Sequence, residues 1–92
     1  YVFHLIECLA QAAEDVGLAP DLAYRLALQT VSGSGELARL SDDGAAQLRI
    51  NVTSPGGTTQ AALEVLMGED GLQTLMTAAV RAAEIRSREL GA

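Results

Sequence analysis

Between Thr53 and Thr59 the chain reads Thr-Ser-Pro-Gly-Gly-Thr-Thr, four hydroxyls around a Pro-Gly-Gly step. Pro55 fixes its own φ and Gly56 is free to take a positive φ, so the spacing predicts a type II turn. Gly57 leaves the backbone N–H groups uncovered by any side chain. A helix is expected to start at Thr58 or Thr59. The first N–H groups of a helix have no internal partner, and its dipole is positive at that end. Bare N–H groups, a positive end and nearby hydroxyls describe a site for a small anion. The chain has no lysine, so this is not a Walker-type phosphate loop, and a carboxylate suits it better than a triphosphate. The same residues also serve a plain connector, in which Pro-Gly turns the chain and one Thr caps the next helix for about 0.5–2 kcal/mol. One cap does not need four hydroxyls. Both readings stay open on these residues alone.

The other chemistry-bearing residues are few. His4 is the only histidine and Cys8 the only cysteine. They make neither a metal-ligand cluster nor a Cys/His or Ser/His/Asp set. Cys8 lies among apolar helix residues and reads as a packed, inert thiol; His4 reads as solvated or capping. Gly33-Ser34-Gly35-Glu36-Leu37-Ala38 fits the letters of a G-x-G-x-x-G/A nucleotide fingerprint. That fingerprint works only on a tight turn between a strand and a helix, and the residues before it are helical, so we reject it as a cofactor site. Asn51-Val52-Thr53 is a glycosylation sequon only by letters. Arg81, Arg86 and Arg88 complement a helix C-terminus and do not form a phosphate site.

The elements that must hold the turn are helices. Val2, Leu5, Ile6, Leu9, Ala13 and Val16 recur at helical spacing from Tyr1 to about Val16, opposite a polar stripe of His4, Glu7, Gln11 and Glu14. Gly17 is a stop signal. Pro20 suits the first position of a second helix, with Asp21 in its first turn. From Leu22 to Val31 nearly every face is apolar, which predicts a helix buried all round. At Ser32-Gly33-Ser34-Gly35 a break and a continuous helix are both open, since each Gly costs a helix roughly 1 kcal/mol against Ala. Ser41-Asp42-Asp43-Gly44 predicts a turn, followed by a short helix over about Ala45–Val52. After the Pro-Gly-Gly turn a helix is expected over about Thr59–Met67. Gly68-Glu69-Asp70-Gly71 turns again, and a last helix spans about Leu72–Leu90. No stretch alternates like a strand, so the class is all-α.

Composition bounds the partners. Ninety-two residues make one domain, and a chain this short buries only roughly 60–65% of its unfolded surface. Its hydrophobic share is 49% without counting nine glycines. Either a second copy hides the excess or the chain is an alanine-rich helical monomer. The net charge of −6 argues against nucleic acid and against an anionic membrane surface. No segment reaches the roughly 18 apolar residues of a membrane span. A single cysteine fits a reducing compartment, and the expected location is cytoplasmic. The pattern is already helical at Tyr1, so a piece of a longer polypeptide is expected.

Leu48-Arg49-Ile50-Asn51-Val52-Thr53-Ser54-Pro55-Gly56-Gly57-Thr58-Thr59 resembles the signature of pyrroline-5-carboxylate reductases. Tyr1-Val2-Phe3 with Ile6-Glu7, Gly17-Leu18, Leu22-Ala23-Tyr24-Arg25-Leu26-Ala27, Gln29-Thr30-Val31 and Arg86-Ser87-Arg88-Glu89-Leu90-Gly91 are similar to other parts of that family's C-terminal domain, in order. The resemblance covers essentially the whole chain, residues 1–92. It implies a compact domain of about five helices, of the 6-phosphogluconate-dehydrogenase-like C-terminal type, interlocked with a second copy in a homodimer that can assemble further. It implies reduction of pyrroline-5-carboxylate to proline with NADPH or NADH. The cofactor would bind an N-terminal Rossmann domain absent from these residues, so the chain alone is expected to be inactive. Ser54 and the N–H groups of Gly57 and Thr58 would hold the substrate carboxylate, and the Thr59 hydroxyl would bond the ring nitrogen. The resemblance also implies a continuous helix through Gly33.

Two positions depart from that pattern. Ile50 stands where the family usually has an acidic residue, and Gly35 stands where a small, better helix former is usual. The rival readings are a non-catalytic helical dimerisation module, in which the turn is only a connector, and a relative acting on another cyclic imine.

Overall fold

The computed structural model describes residues 1–91. Among them are five helices and no strand: α1 (Val2–Asp15), α2 (Pro20–Leu40), α3 (Ala45–Asn51), α4 (Thr58–Leu66) and α5 (Leu72–Gly91). The described residues fall in two compact units, 1–48 and 49–91.

In the first unit α1 ends where the sequence signals it. Gly17 takes φ 110°, its N–H donates to Glu14 O at 2.9 Å, and the Leu18 N–H donates to Ala13 O at 3.1 Å. That pair of bonds is a Schellman closure, which needs a residue tolerant of positive φ. Pro20 opens α2 behind Ala19, whose carbonyl accepts the Ala23 N–H at 2.8 Å. The helix then runs unbroken through Ser32-Gly33-Ser34-Gly35, with neither glycine at positive φ. Two glycines weaken a helix by about 2 kcal/mol but leave its hydrogen-bond ladder intact, whereas a break forfeits several bonds at once.

α1 packs on α2 through small side chains. Ile6, Ala10, Ala23 and Ala27 are buried, and Val31 packs against the cluster of Ile6, Ala10 and Ala27. Alanines facing one another let the helix backbones approach closely. They also leave the larger residues outside. Leu22, Tyr24, Leu26 and Leu28 are all exposed in the single chain. The expectation that Leu22–Val31 is buried all round therefore fails within one copy, because one neighbouring helix covers only one face. An open groove of about 370 Å³ runs along Leu9, Ala13, Val16, Leu26, Ala27 and Thr30. Cys8 is also exposed and is not the packed thiol expected. It stands two residues from Ile6, roughly 200° around the helix, so burying Ile6 turns Cys8 outward.

In the second unit the end of α3 leads through the Pro-Gly-Gly turn to α4, and a tight turn at Gly68–Gly71 leads to α5. α3 stops one residue earlier than expected, and α4 begins at Thr58, the first of the two expected starts. Gly71 is buried, and its N–H donates to Gly68 O at 3.0 Å. Neither α4 nor α5 has a buried residue, and Val65, Leu75 and Val80 are open.

Candidate functional site

The site is built from the backbone of residues 53–60. Thr53 finishes α3: its N–H donates to Ile50 O at 3.1 Å and its hydroxyl donates to Arg49 O. One of the four hydroxyls is thus structural. Gly57 N–H donates to Ser54 O at 3.0 Å across Pro55-Gly56, with Gly56 at φ 72°. This is the type II turn that the sequence predicts. Space is tight inside it, since a side chain at Gly57 would place its Cβ 3.2 Å from Ser54 O and 3.3 Å from Ser54 Cβ.

Gly57 is the N-cap of α4, in extended geometry (φ −85°, ψ −179°), and no side chain caps the helix. The Thr cap expected on the connector reading is therefore absent. Thr58 and Thr59 lie one and two residues past the cap, where their hydroxyls project from the helix and do not fold back on its N–H groups. Among the described residues, the N–H groups of Thr58 and Thr59 have no backbone acceptor. The hydroxyls of Ser54, Thr58 and Thr59 likewise make no hydrogen bond there. Ser54 and Thr58 are exposed, and Thr59 is half-buried. The four sequence-predicted residues Ser54, Gly57, Thr58 and Thr59 are therefore brought together on one turn, with two unpaired donors of the main chain at the positive end of a nine-residue helix.

Gln60 was not singled out by its sequence pattern. Its side-chain Oε1 accepts the Gly56 N–H, tying the first turn of α4 back to the loop. No capping-box pattern marks it: the residue three before Gln60 is Gly57 and not Ser or Thr, and the bond reaches past that N-cap to Gly56. Beside the turn an open groove of about 360 Å³ is lined by Arg49, Ile50, Thr53, Gln60, Leu63, Glu64 and Met67. Ile50 contributes apolar wall here. The turn's own hydrogen bonds come from Thr53, Ser54 and Gln60, so they do not depend on an acid at position 50.

Elsewhere, Gly33-Ser34-Gly35 lies in mid-helix, where its N–H groups belong to the α2 ladder. His4 faces Glu7 through Nδ1 at 3.2 Å and Cys8 Sγ through Nε2 at 3.4 Å, all on the exposed side of α1. No group of three or more His, Cys, Asp or Glu among the described residues is arranged to hold a metal ion. Among the described residues no helix is long and apolar enough to cross a membrane.

An all-helical module with open apolar faces and a bare helix N-terminus behind a Pro-Gly-Gly turn is the class that these observations define. Residues 1–90 match the family model described as pyrroline-5-carboxylate reductase dimerisation, and the chain belongs to that family. It is 46% identical over 91 residues to the pyrroline-5-carboxylate reductase of a Synechocystis species, covering 99% of this chain and 34% of that protein. It is 48% identical over 90 residues to the pyrroline-5-carboxylate reductase of Pisum sativum, covering 98% of this chain and 33% of that protein. The crystal structure of Plasmodium falciparum pyrroline carboxylate reductase with NADP bound superposes with a TM-score of 0.93 at 37% identity, over 100% of this chain and 35% of that one. The chain thus spans about a third of the length of the relatives it matches.

Proposed function

We propose that this chain is the C-terminal part of a pyrroline-5-carboxylate reductase, supplying dimerisation and the grip on the substrate carboxylate. The observation that carries the reading is the uncapped start of α4, with Thr58 and Thr59 N–H groups unpaired beside free Ser54 and Thr59 hydroxyls. The substrate carboxylate accepts hydrogen bonds from the Ser54 hydroxyl and the Thr58 N–H. The Gly57 N–H already closes the turn onto Ser54 O, so it reaches the carboxylate as a shared, three-centre donor. With the carboxylate fixed, the ring lies toward the next residue of the helix. There the Thr59 hydroxyl bonds the ring nitrogen, which gains a proton as hydride arrives at the neighbouring carbon and the C=N bond becomes the C–N bond of proline. NADPH or NADH, held by a Rossmann domain outside these 92 residues, supplies that hydride. We place the enzyme in the cytoplasm, where a lone thiol stays reduced. Two copies pair through α1, α2 and α5, whose apolar faces are open in one chain.

The test uses the full-length protein. Thr59→Val keeps the shape and removes the hydroxyl, and kcat/KM is expected to fall about 100-fold, as for loss of a preorganised donor. Thr59→Ser should restore most of that loss. Ser54→Ala should mainly raise KM, because the carboxylate is held alike before and during hydride transfer. Unchanged kinetics in Thr59→Val would return the turn to a connector.

A further inference from the structure

We propose that Gln60 is a positioning residue of the carboxylate turn, and that its lack of charge makes the turn selective for an anionic substrate. This rests on the reading of Ser54, Thr58 and Thr59 given above. Gln60 is the third residue of α4 and half-buried. Its Oε1 accepts the N–H of Gly56, the residue that takes φ 72° in the turn. That bond joins the residue before the N-cap to the residue just after the two bare N–H groups of Thr58 and Thr59, and so ties the loop to the start of the helix. Without it Gly56, which has no side chain and is exposed, is anchored only through its neighbours.

The choice of Gln over Glu at this position is informative. The same backward reach is made by Glu, and a negative charge in the first turn stabilises a helix through its dipole. α4 has no acidic residue in its first turn. A carboxylate there would compete for the positive end of the helix that the substrate's carboxylate needs. Gln makes the structural bond and leaves the field unspent.

The experiment compares Gln60→Glu and Gln60→Leu in the full-length protein, with Ser54→Ala and Thr59→Val alongside. Thermal unfolding is measured, together with KM and kcat for pyrroline-5-carboxylate. The ring without its carboxylate, 1-pyrroline, is scored as substrate or as inhibitor. Gln60→Glu keeps the acceptor, so the melting temperature should hold or rise. Its KM for pyrroline-5-carboxylate should rise about tenfold from like-charge repulsion a few ångströms away, with kcat little changed and 1-pyrroline unaffected. Added salt should shrink the effect. Gln60→Leu should lower both the melting temperature and the affinity for pyrroline-5-carboxylate. A wild-type KM in Gln60→Glu, or an equal rise for both rings, would overturn the proposal. If Ser54→Ala and Thr59→Val are also silent, the carboxylate reading itself has failed; if they act as expected, only the role of Gln60 has.

Discussion

Single atoms decide the two glycine turns of the second unit. Gly56 takes a positive φ that L side chains rarely adopt, and Gly57 faces Ser54 at close range. Gly71 is more tightly held. A Cβ there would lie 2.1 Å from Leu66 O and 2.8 Å from Gly68 O, both main-chain atoms that cannot swing aside. Gly71→Ala is therefore expected to destabilise the protein by about 1–3 kcal/mol, the range for forced overpacking, measured by urea unfolding. Gly35 has nothing within 4 Å of the same hypothetical atom, so the two glycines should respond with opposite signs. The sequence marks Gly71 only as part of a turn; the backbone oxygen of Leu66 that excludes a side chain becomes visible once α4 and the turn are folded.

At the scale of elements, α2 is the informative case. Its 21 residues include two glycines and two serines in a row, and the sequence left a break and a continuous helix equally open. Helix signals are local, whereas the choice here depends on whether the ladder survives a weak spot. It does, with Thr30 Oγ1 donating to Leu26 O at 2.7 Å just before the weak spot and an Arg39–Glu36 ion pair at 2.6 Å after it. The Arg39 guanidinium holds the exposed Glu36 carboxyl below the usual carboxylate range. Gly35→Ala should stabilise the helix by about 0.5–1 kcal/mol, read as a higher melting temperature and slightly stronger helical circular dichroism. A loss of stability would show that another chain packs closely against position 35.

For the whole molecule, surface area is the deciding quantity. Two compact proteins of half this mass would together expose about 6,100 Å², and this chain exposes 7453 Å². The surplus is apolar in its large residues: Phe3 is 85% exposed, Val65 75% and Leu75 65%. The isolated chain is expected to sediment as a dimer at low micromolar concentration, burying over about 2,000 Å² as obligate pairs do. Leu26→Glu, on the open groove of the first unit, should shift it toward monomer or unfold it. A wild-type chain that sediments cleanly as a monomer would remove the area argument for a second copy.

Local sequence was enough for the helical class, the stop at Gly17, the turn over Gly68–Gly71 and the type II turn at Pro55-Gly56. Each of these follows from local backbone chemistry: the apolar period, the fixed φ of proline and the freedom of glycine. It also brought Ser54, Gly57, Thr58 and Thr59 to notice, because their spacing along the chain is the spacing of the turn. Which group caps α4 became visible only in the folded chain, since a Thr and a Gly N-cap read alike until φ and ψ are known. The fold likewise assigned the hydroxyl of Thr53 to α3 and turned Cys8 to the outside. It tied Gln60 to Gly56, a bond between groups four residues apart that exists only when the turn and the helix are both formed. The large apolar residues of α2 were legible as sticky, but their exposure was not, because burial depends on how many helices surround a face and a sequence carries no count of its neighbours.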